Sequence, residues 1–297
     1  METKESASAY RVRAERRRRS RGTGEARGDG WVRTEADERL LAAATRYGTL
    51  TLHQAATAFW NGREETARAR VRLMTEAGLL NRSAEVRWAG TVVWTTERGA
   101  RIAGVGLDAP HPPGERLLHR LALADVGLRQ EARGHIVLTE REVRTAEATP
   151  GQAAELLADH GVPNVPIGAR SGPLLAVPAG ARAVHWPDLV LVLPGDGIGA
   201  IEVELTAKTP SALRRILRAY GQARRRVVYL GTEPVVRQLQ GRPGPDGRWA
   251  DGVGQNVGLL PPGGPDPGTG TGLLSVRPFT AGDPAVDRQA ARHAQRR

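Results

Sequence analysis

The sequence predicts an α+β chain in two structured parts: three short helices with a β-wing, then a helix, a strand, a β-hairpin, a helix and a strand. Three observations carry this. Apolar residues recur at helical spacing three times between Glu38 and Ala77. β-rich runs flank a polar loop between Leu79 and Trp94, and a glycine turn between Leu189 and Leu205. An amphipathic helix opening at Thr209-Pro210 follows the second hairpin. The boundaries read as a disordered basic arm over 1–30, a first domain over 31–110, a second over 111–240, a Gly/Pro-rich loop over 241–272, a short apolar segment over 273–280 and a basic tail over 281–297.

In the first domain, Glu38 to Tyr47 is a helix with Leu40, Leu41 and Ala44 inward, ending near Gly48. Thr51 to Trp60 is a second helix and Asn61-Gly62 a turn. Glu64 to Ala77 is a third, stopped by Gly78 as a left-handed cap. Leu79-Leu80 and Thr91 to Trp94 are strands around the loop Arg82 to Gly90, which completes the winged-helix pattern. Ala67, Val71, Met74 and Ala77 share one side of the third helix, leaving Arg68 and Arg72 exposed together at i and i+4. Those two are candidates for a major groove of double-stranded DNA, and Arg63, Arg82 and Arg87 for its phosphates. The competing reading makes Glu64, Glu65, Arg68 and Arg72 a salt-bridged, solvated face.

In the second domain, Glu115 to Glu131 is a helix with Leu117, Leu121, Ala124 and Leu128 on one stripe, and His135 to Val143 reads as a strand. Leu189 to Leu193 and Ile198 to Leu205 form a hairpin through Pro194-Gly195-Asp196-Gly197. Leu213, Ile216, Leu217 and Tyr220 give the next helix its packing stripe, with Arg214, Arg215 and Arg218 turned away, and Val227 to Leu230 is a strand.

The hairpin carries the candidate chemistry. Glu202 and Glu204, two apart, share a face, and a three- or five-residue loop sets Asp188 across from Glu202. A one-residue slip would put Asp188 on the other face. Three carboxylates together suit Mg²⁺ or Mn²⁺, which hold an activated water against phosphorus. In this reading Asp188 and Glu202 bind the metal, Glu204 binds it or acts as base, and Lys208 stabilises the charge developing on phosphate. Glu131 and Glu142 are further candidates for the acidic site. Of 43 basic residues only Lys4 and Lys208 are lysine, which singles out Lys208. The alternative is that Glu202 and Glu204 form the solvated face of an edge strand.

Pro187-Asp188 and Glu202 resemble the PD-(D/E)xK nuclease superfamily, whose αβββαβ core has the order found here, a restriction-endonuclease-like domain. Glu204 stands where that family usually has lysine, with Lys208 as a displaced substitute. More widely, the order of Glu38-Arg39-Leu40-Leu41, Tyr47-Gly48-Thr49-Leu50-Thr51, Glu76-Ala77-Gly78-Leu79-Leu80, Thr96-Glu97-Arg98-Gly99-Ala100, Leu118-His119-Arg120-Leu121, Trp186-Pro187-Asp188 and Glu202 to Lys208 resembles the replication-relaxation family of actinobacterial plasmids and integrative conjugative elements. The resemblance spans residues 31 to 230. It implies DNA binding in replication or mobilisation of a mobile element, with other replication or transfer proteins as partners.

Composition agrees with a polyanionic partner: the formal charge is +11 and the pI near 11.1. Absent cysteine excludes disulfide scaffolds and cysteine-based zinc sites. No apolar run approaches the ~20 residues of a membrane span, and no hydrophobic signal core opens the chain, so a cytoplasmic protein off the membrane is expected. A homodimer reading two half-sites is a further expectation. The seven histidines show no metal-ligand spacing, with His119 read as surface or core, and Tyr47 and Tyr220 read as structural. Two functions follow: a metal-dependent nicking enzyme guided by the winged helix, or a non-catalytic DNA-binding regulator on an inactive nuclease scaffold.

Overall fold

The computed structural model describes residues 32–160, 162, 173–180, 183–193, 197–246, 248–264 and 272–295. The basic arm expected over 1–30 and the turn residues Pro194, Gly195 and Asp196 lie outside them. The fold is mixed α+β. Helix α1 (Glu35–Tyr47) starts at a reciprocal cap between Thr34 and Asp37 and ends at Gly48 with φ +84. Strand β1 (Leu50–Thr51) runs into α2 (Leu52–Phe59), capped by Thr51 and Gln54. Helix α3 (Glu64–Glu76) stops before Gly78, whose φ of +67 a side chain would resist. Strands β2 (Leu80–Ser83) and β3 (Val92–Thr95) complete a small antiparallel sheet of order β1-β3-β2. A helix absent from the sequence reading, α4 (Glu97–Ala103), follows, capped by Thr96.

The second part opens with α5 (Leu117–Ala132) and β4 (Ile136–Thr139). The strand expected to reach Val143 stops at Thr139. Thr139 and Glu142 cap each other's backbone and start α6 (Glu140–Glu147), followed by α7 (Gln152–Asp159). A short pair, β5 (Val177–Pro178) and β6 (Val184–His185), precedes β7 (Leu189–Leu193) and β8 (Gly197–Glu204). Then come α8 (Pro210–Gln222), β9 (Arg226–Gly231) and α9 (Glu233–Gln240). The stretch expected to be a flexible Gly/Pro excursion contains β10 (Arg242–Pro243), β11 (Trp249–Ala250) and α10 (Val253–Asn256). It is held by Trp249 Nε1 and Gln255 Nε2, which donate to Gln240 O at 2.9 and 2.7 Å.

The apolar segment after it is β12 (Leu274–Pro278). The final residues, expected as a loose basic tail, fold into α11 (Pro284–Gln295), with Val286 and Ala290 buried. Asp283 caps that helix at Ala285 N–H (2.8 Å), while Asp125 of α5 accepts from the Gly282 and Asp283 N–H groups at 2.9–3.0 Å. An aspartate followed by proline is a helix start. The five-stranded sheet has order β12-β9-β8-β7-β4, parallel through β12, β9 and β8 and antiparallel from β8 to β4.

Alternation along β7 and β8 divides the core. Leu189, Ile201 and Val203 pack with α5 and the first three helices, whereas Ala200 packs with α8 and β9, and Val190 and Val192 with α6 and α7. One apolar cluster therefore runs unbroken from Leu40 and Tyr47 through Leu121 and Val126 to Ile201 and Val286. A half-buried polar join reinforces it. Arg46 of α1 donates to Glu131 at 2.6 Å and Glu142 at 2.8 Å, and Tyr47 Oη donates to Glu131 at 2.8 Å. Burial opposes the charge on Arg46, but Glu142, the Tyr47 hydroxyl and Glu131 hold its pKa above the ordinary value. Glu131 and Glu142 thus serve this join and not the acidic hairpin. Among the described residues no helix is long and apolar enough to cross a membrane.

Gly127 shows how close α5 and α1 come: a Cβ there would sit 2.3 Å from Tyr47 Oη and 2.4 Å from its ring. Alanine in a helix normally gains up to about 1 kcal/mol over glycine. Here the clash reverses the sign, and Gly127→Ala is expected to lose about 1–3 kcal/mol, read as a lower urea midpoint at unchanged slope.

Candidate functional site

Leu189 lies opposite Ile201, and Leu193 opposite Gly197 across three residues, so Asp188 falls across from Glu202 one step beyond the paired positions. Asp188 Oδ2 accepts the Val203 N–H at 2.8 Å, and its backbone carbonyl accepts from Glu140 N–H at 3.1 Å, which fixes its place at the mouth of the hairpin. Strand β8 is central to the sheet, so Glu202 is not a solvated edge residue; it is 4% exposed, under α8. One oxygen, Oε1, contacts both His185 Nε2, at 2.8 Å, and the Tyr220 hydroxyl, a short hydrogen bond.

Asp188 also faces His119 of α5, with Nε2 to Oδ1 at 3.3 Å. Glu204, at the end of β8, is ion-paired with Lys208. Three acids therefore stand against three bases: Asp188 with His119, Glu202 with His185, Glu204 with Lys208. Burial and then the charge of Asp188 push the Glu202 carboxyl above its ordinary range, despite the hydrogen bonds from His185 and Tyr220. Burial alone would lower both imidazoles. The hydrogen bond and charge of Asp188 raise His119, and those of Glu202 raise His185, while Lys208 opposes both. Burial and the Glu202 charge push the Tyr220 hydroxyl far up, so it remains a donor.

The sequence reading brought Asp188, Glu202, Glu204 and Lys208 to one hairpin, and they are there. It missed His119, His185 and Tyr220. For His185 a signal existed: as the residue two before Pro187, on a strand leading into Asp188, it travels with the motif. His119 and Tyr220 arrive from helices distant in sequence, and no local pattern announces them.

A hard divalent cation needs several free carboxylate oxygens. Here both Asp188 oxygens and Glu202 Oε1 have protein partners, and Glu204 is ion-paired. Among the described residues no group of three or more His, Asp or Glu side chains stands as a metal-holding set. The residues as arranged do not fit Mg²⁺ or Mn²⁺. What they form is two imidazole–carboxylate pairs able to take up and release protons at a partly exposed mouth.

The arginines of the first part are placed differently. Arg63, Arg68, Arg72, Arg82 and Arg87 are all exposed. Arg68 lies 3.7 Å from Glu65 and Arg72 3.8 Å from Glu76, loose surface pairs worth little. Arg70, on the same helix, instead bonds Asp37 and Val32 O and holds α3 to the start of α1. Comparison of the chain with protein-family models, with curated proteins and with solved structures gave no match.

His119 and His185, with folded pKa values above 6.5, contribute stability that is complete below that pH and lost as pH rises through the raised values. Glu202, also raised, acts in the same direction, since its neutral form is favoured in the folded state. The unfolding free energy is therefore expected to fall as pH rises above 6.5 through the raised imidazole values, with a Glu202 contribution that begins to be lost above 4.5. His119→Gln with His185→Gln should flatten that fall in parallel urea titrations; an unchanged profile would remove the site from the pH dependence.

Proposed function

We propose that this chain is a double-stranded DNA-binding protein that uses α3 and the β2–β3 ribbon as a winged helix, on a nuclease-like αβββαβ scaffold. The observation that carries the reading is the two-sidedness of α3. Ala67, Val71 and Met74 are buried against the core while Arg68 and Arg72 project one turn apart from the outer face, beside exposed Arg82 and Arg87 on the ribbon. The sheet order β1-β3-β2 and the sequence of three helices before the ribbon support it. In this role Arg68 and Arg72 meet the major groove, and Arg63, Arg82 and Arg87 fix register on the phosphates. The motif order adds replication or mobilisation of a plasmid or integrative element as the setting, with replication or transfer proteins as partners.

Within that role the acidic hairpin supports a non-catalytic scaffold. Its carboxylates are matched by His119, His185 and Lys208, leaving Lys208 beside Glu204 and not poised for a phosphate. One observation favours nicking instead: Asp188 and Glu202 face each other across adjacent strands, and burial together with the charge of Asp188 raises Glu202.

A gel shift with duplex DNA tests both. Arg68→Gln with Arg72→Gln is expected to weaken binding at least about 10-fold, since each groove-facing arginine contributes about 1–3 kcal/mol; equal affinity would remove α3 as the reading element. Supercoiled plasmid with Mg²⁺ or Mn²⁺ should shift without being cut. Open circles produced by the wild type and not by Asp188→Ala would establish nicking.

A further inference from the structure

The outer face of α8 is a basic surface that the winged-helix reading does not use. Leu213, Leu217 and Tyr220 bind this helix to the sheet, and the same periodicity turns Arg214, Arg215 and Arg218 outward, all exposed. None of the three is paired with a carboxylate among the described residues, unlike Arg68, Arg72 and Arg237 on other helices. They wall an open groove of about 420 Å³ with Ser211 and Gln222, and among the described residues no acidic side chain lines it. On the other flank Arg214 is shared with a second groove that adds Arg242 and Arg237, the latter paired with Glu233, and Asp251.

We propose that this arginine face is a second, sequence-independent seat for a DNA backbone, so that one chain holds two duplex segments at once. It rests on the DNA-binding reading above. Three arguments select the occupant. The grooves are open, so a small phosphorylated ligand would find no enclosure, whereas a continuous backbone gathers several weak contacts along its length. Arg214 and Arg218 are one turn apart, about 6 Å along the axis, and each DNA strand offers a phosphate about every 3.4 Å of axis. A protein partner would need an apolar centre to its interface, and this face supplies only small residues, Ala179, Gly180 and Ala219.

Strand alternation decides that the seats are separate. Ala200, Val227 and Tyr229 pack with α8, whereas Ile201 and Val203 pack with α5 and the first part. The α8 surface and the first part therefore lie on opposite faces of the five-stranded sheet, and in the proposed arrangement each holds its own duplex segment.

The test is capture of a labelled duplex by a surface-bound unlabelled duplex in the presence of full-length protein. The wild type is expected to bridge them. Arg214→Gln, Arg215→Gln and Arg218→Gln together should cut bridging at least tenfold while retaining single-duplex binding through α3. Lysine at the same three positions should restore it, because a backbone seat needs charge and not a guanidinium fork. Equal bridging by the glutamine variant overturns the proposal. So does a loss confined to binding of phosphatidylserine vesicles, which would make the partner a membrane surface. If Arg68→Gln with Arg72→Gln leaves single-duplex binding intact while the α8 variant abolishes it, the α3 reading fails and the α8 seat stands. Absence of DNA binding by the wild type overturns both.

Discussion

The register of the β7–β8 hairpin is the constraint on which both the core and the candidate site depend. With Leu189 opposite Ile201, alternate residues of two central strands go to opposite sides of the sheet. Leu189, Ile201 and Val203 then close the cluster that joins the first three helices to α5, while Val190, Val192 and Ala200 close the clusters under α6, α7 and α8. A slip of one residue in β7 would exchange these sets and send Asp188 away from Glu202. The same geometric fact thus sets how the chain packs and which carboxylates meet.

Meeting creates an electrostatic problem. Glu202 is under a helix and sheet with Asp188 nearby, and an unpaired buried carboxylate pair is costly. The fold answers it with groups recruited from three places: His185 from β6, Tyr220 from α8, and His119 from α5 for Asp188. Lys208 neutralises Glu204 just past the strand end. Charge balance among the described residues comes from protein groups, so the protonation state of His119, His185 and Glu202 sets the charge of the pocket. That distinguishes it from an open acidic site of similar residue content.

Much of the architecture was legible because it is local. Helical spacing, Gly78 as a stop, and Thr209-Pro210 as a start are short-range steric effects, and the elements they mark are present within a few residues of the expected ends. Two local signals were overlooked: the Thr139–Glu142 capping box that ends a strand early, and Asp283-Pro284, which begins a helix in what reads by composition as a loose tail. The hairpin carboxylates were legible because turn length determines register. His119 and Tyr220 were not, since their roles follow from helices that cross the sheet, and helix placement is decided by packing between segments far apart in sequence. Gly127 is similar: its need to be glycine comes from Tyr47 on another helix.

The arginine excess reads differently once position is known. A bias in composition distributes arginine wherever the surface tolerates it, but several of these side chains have a structural task. Arg46 forks between Glu131 and Glu142, and Arg225 donates to the carbonyls of Leu174 and Leu175, geometries that need a planar, multidentate donor. Arg70 ties α3 to Asp37. The exposed arginines are spread over many elements, Arg39, Arg101, Arg133, Arg277 and Arg292 as well as Arg68 and Arg72 on α3 and Arg214, Arg215 and Arg218 on α8, while the acidic residues of the hairpin are neutralised internally. Of the two basic faces, α3 carries Arg68 and Arg72 loosely paired with Glu65 and Glu76, whereas Arg214, Arg215 and Arg218 on α8 have no carboxylate partner among the described residues, so position and pairing, not net charge, distinguish these faces.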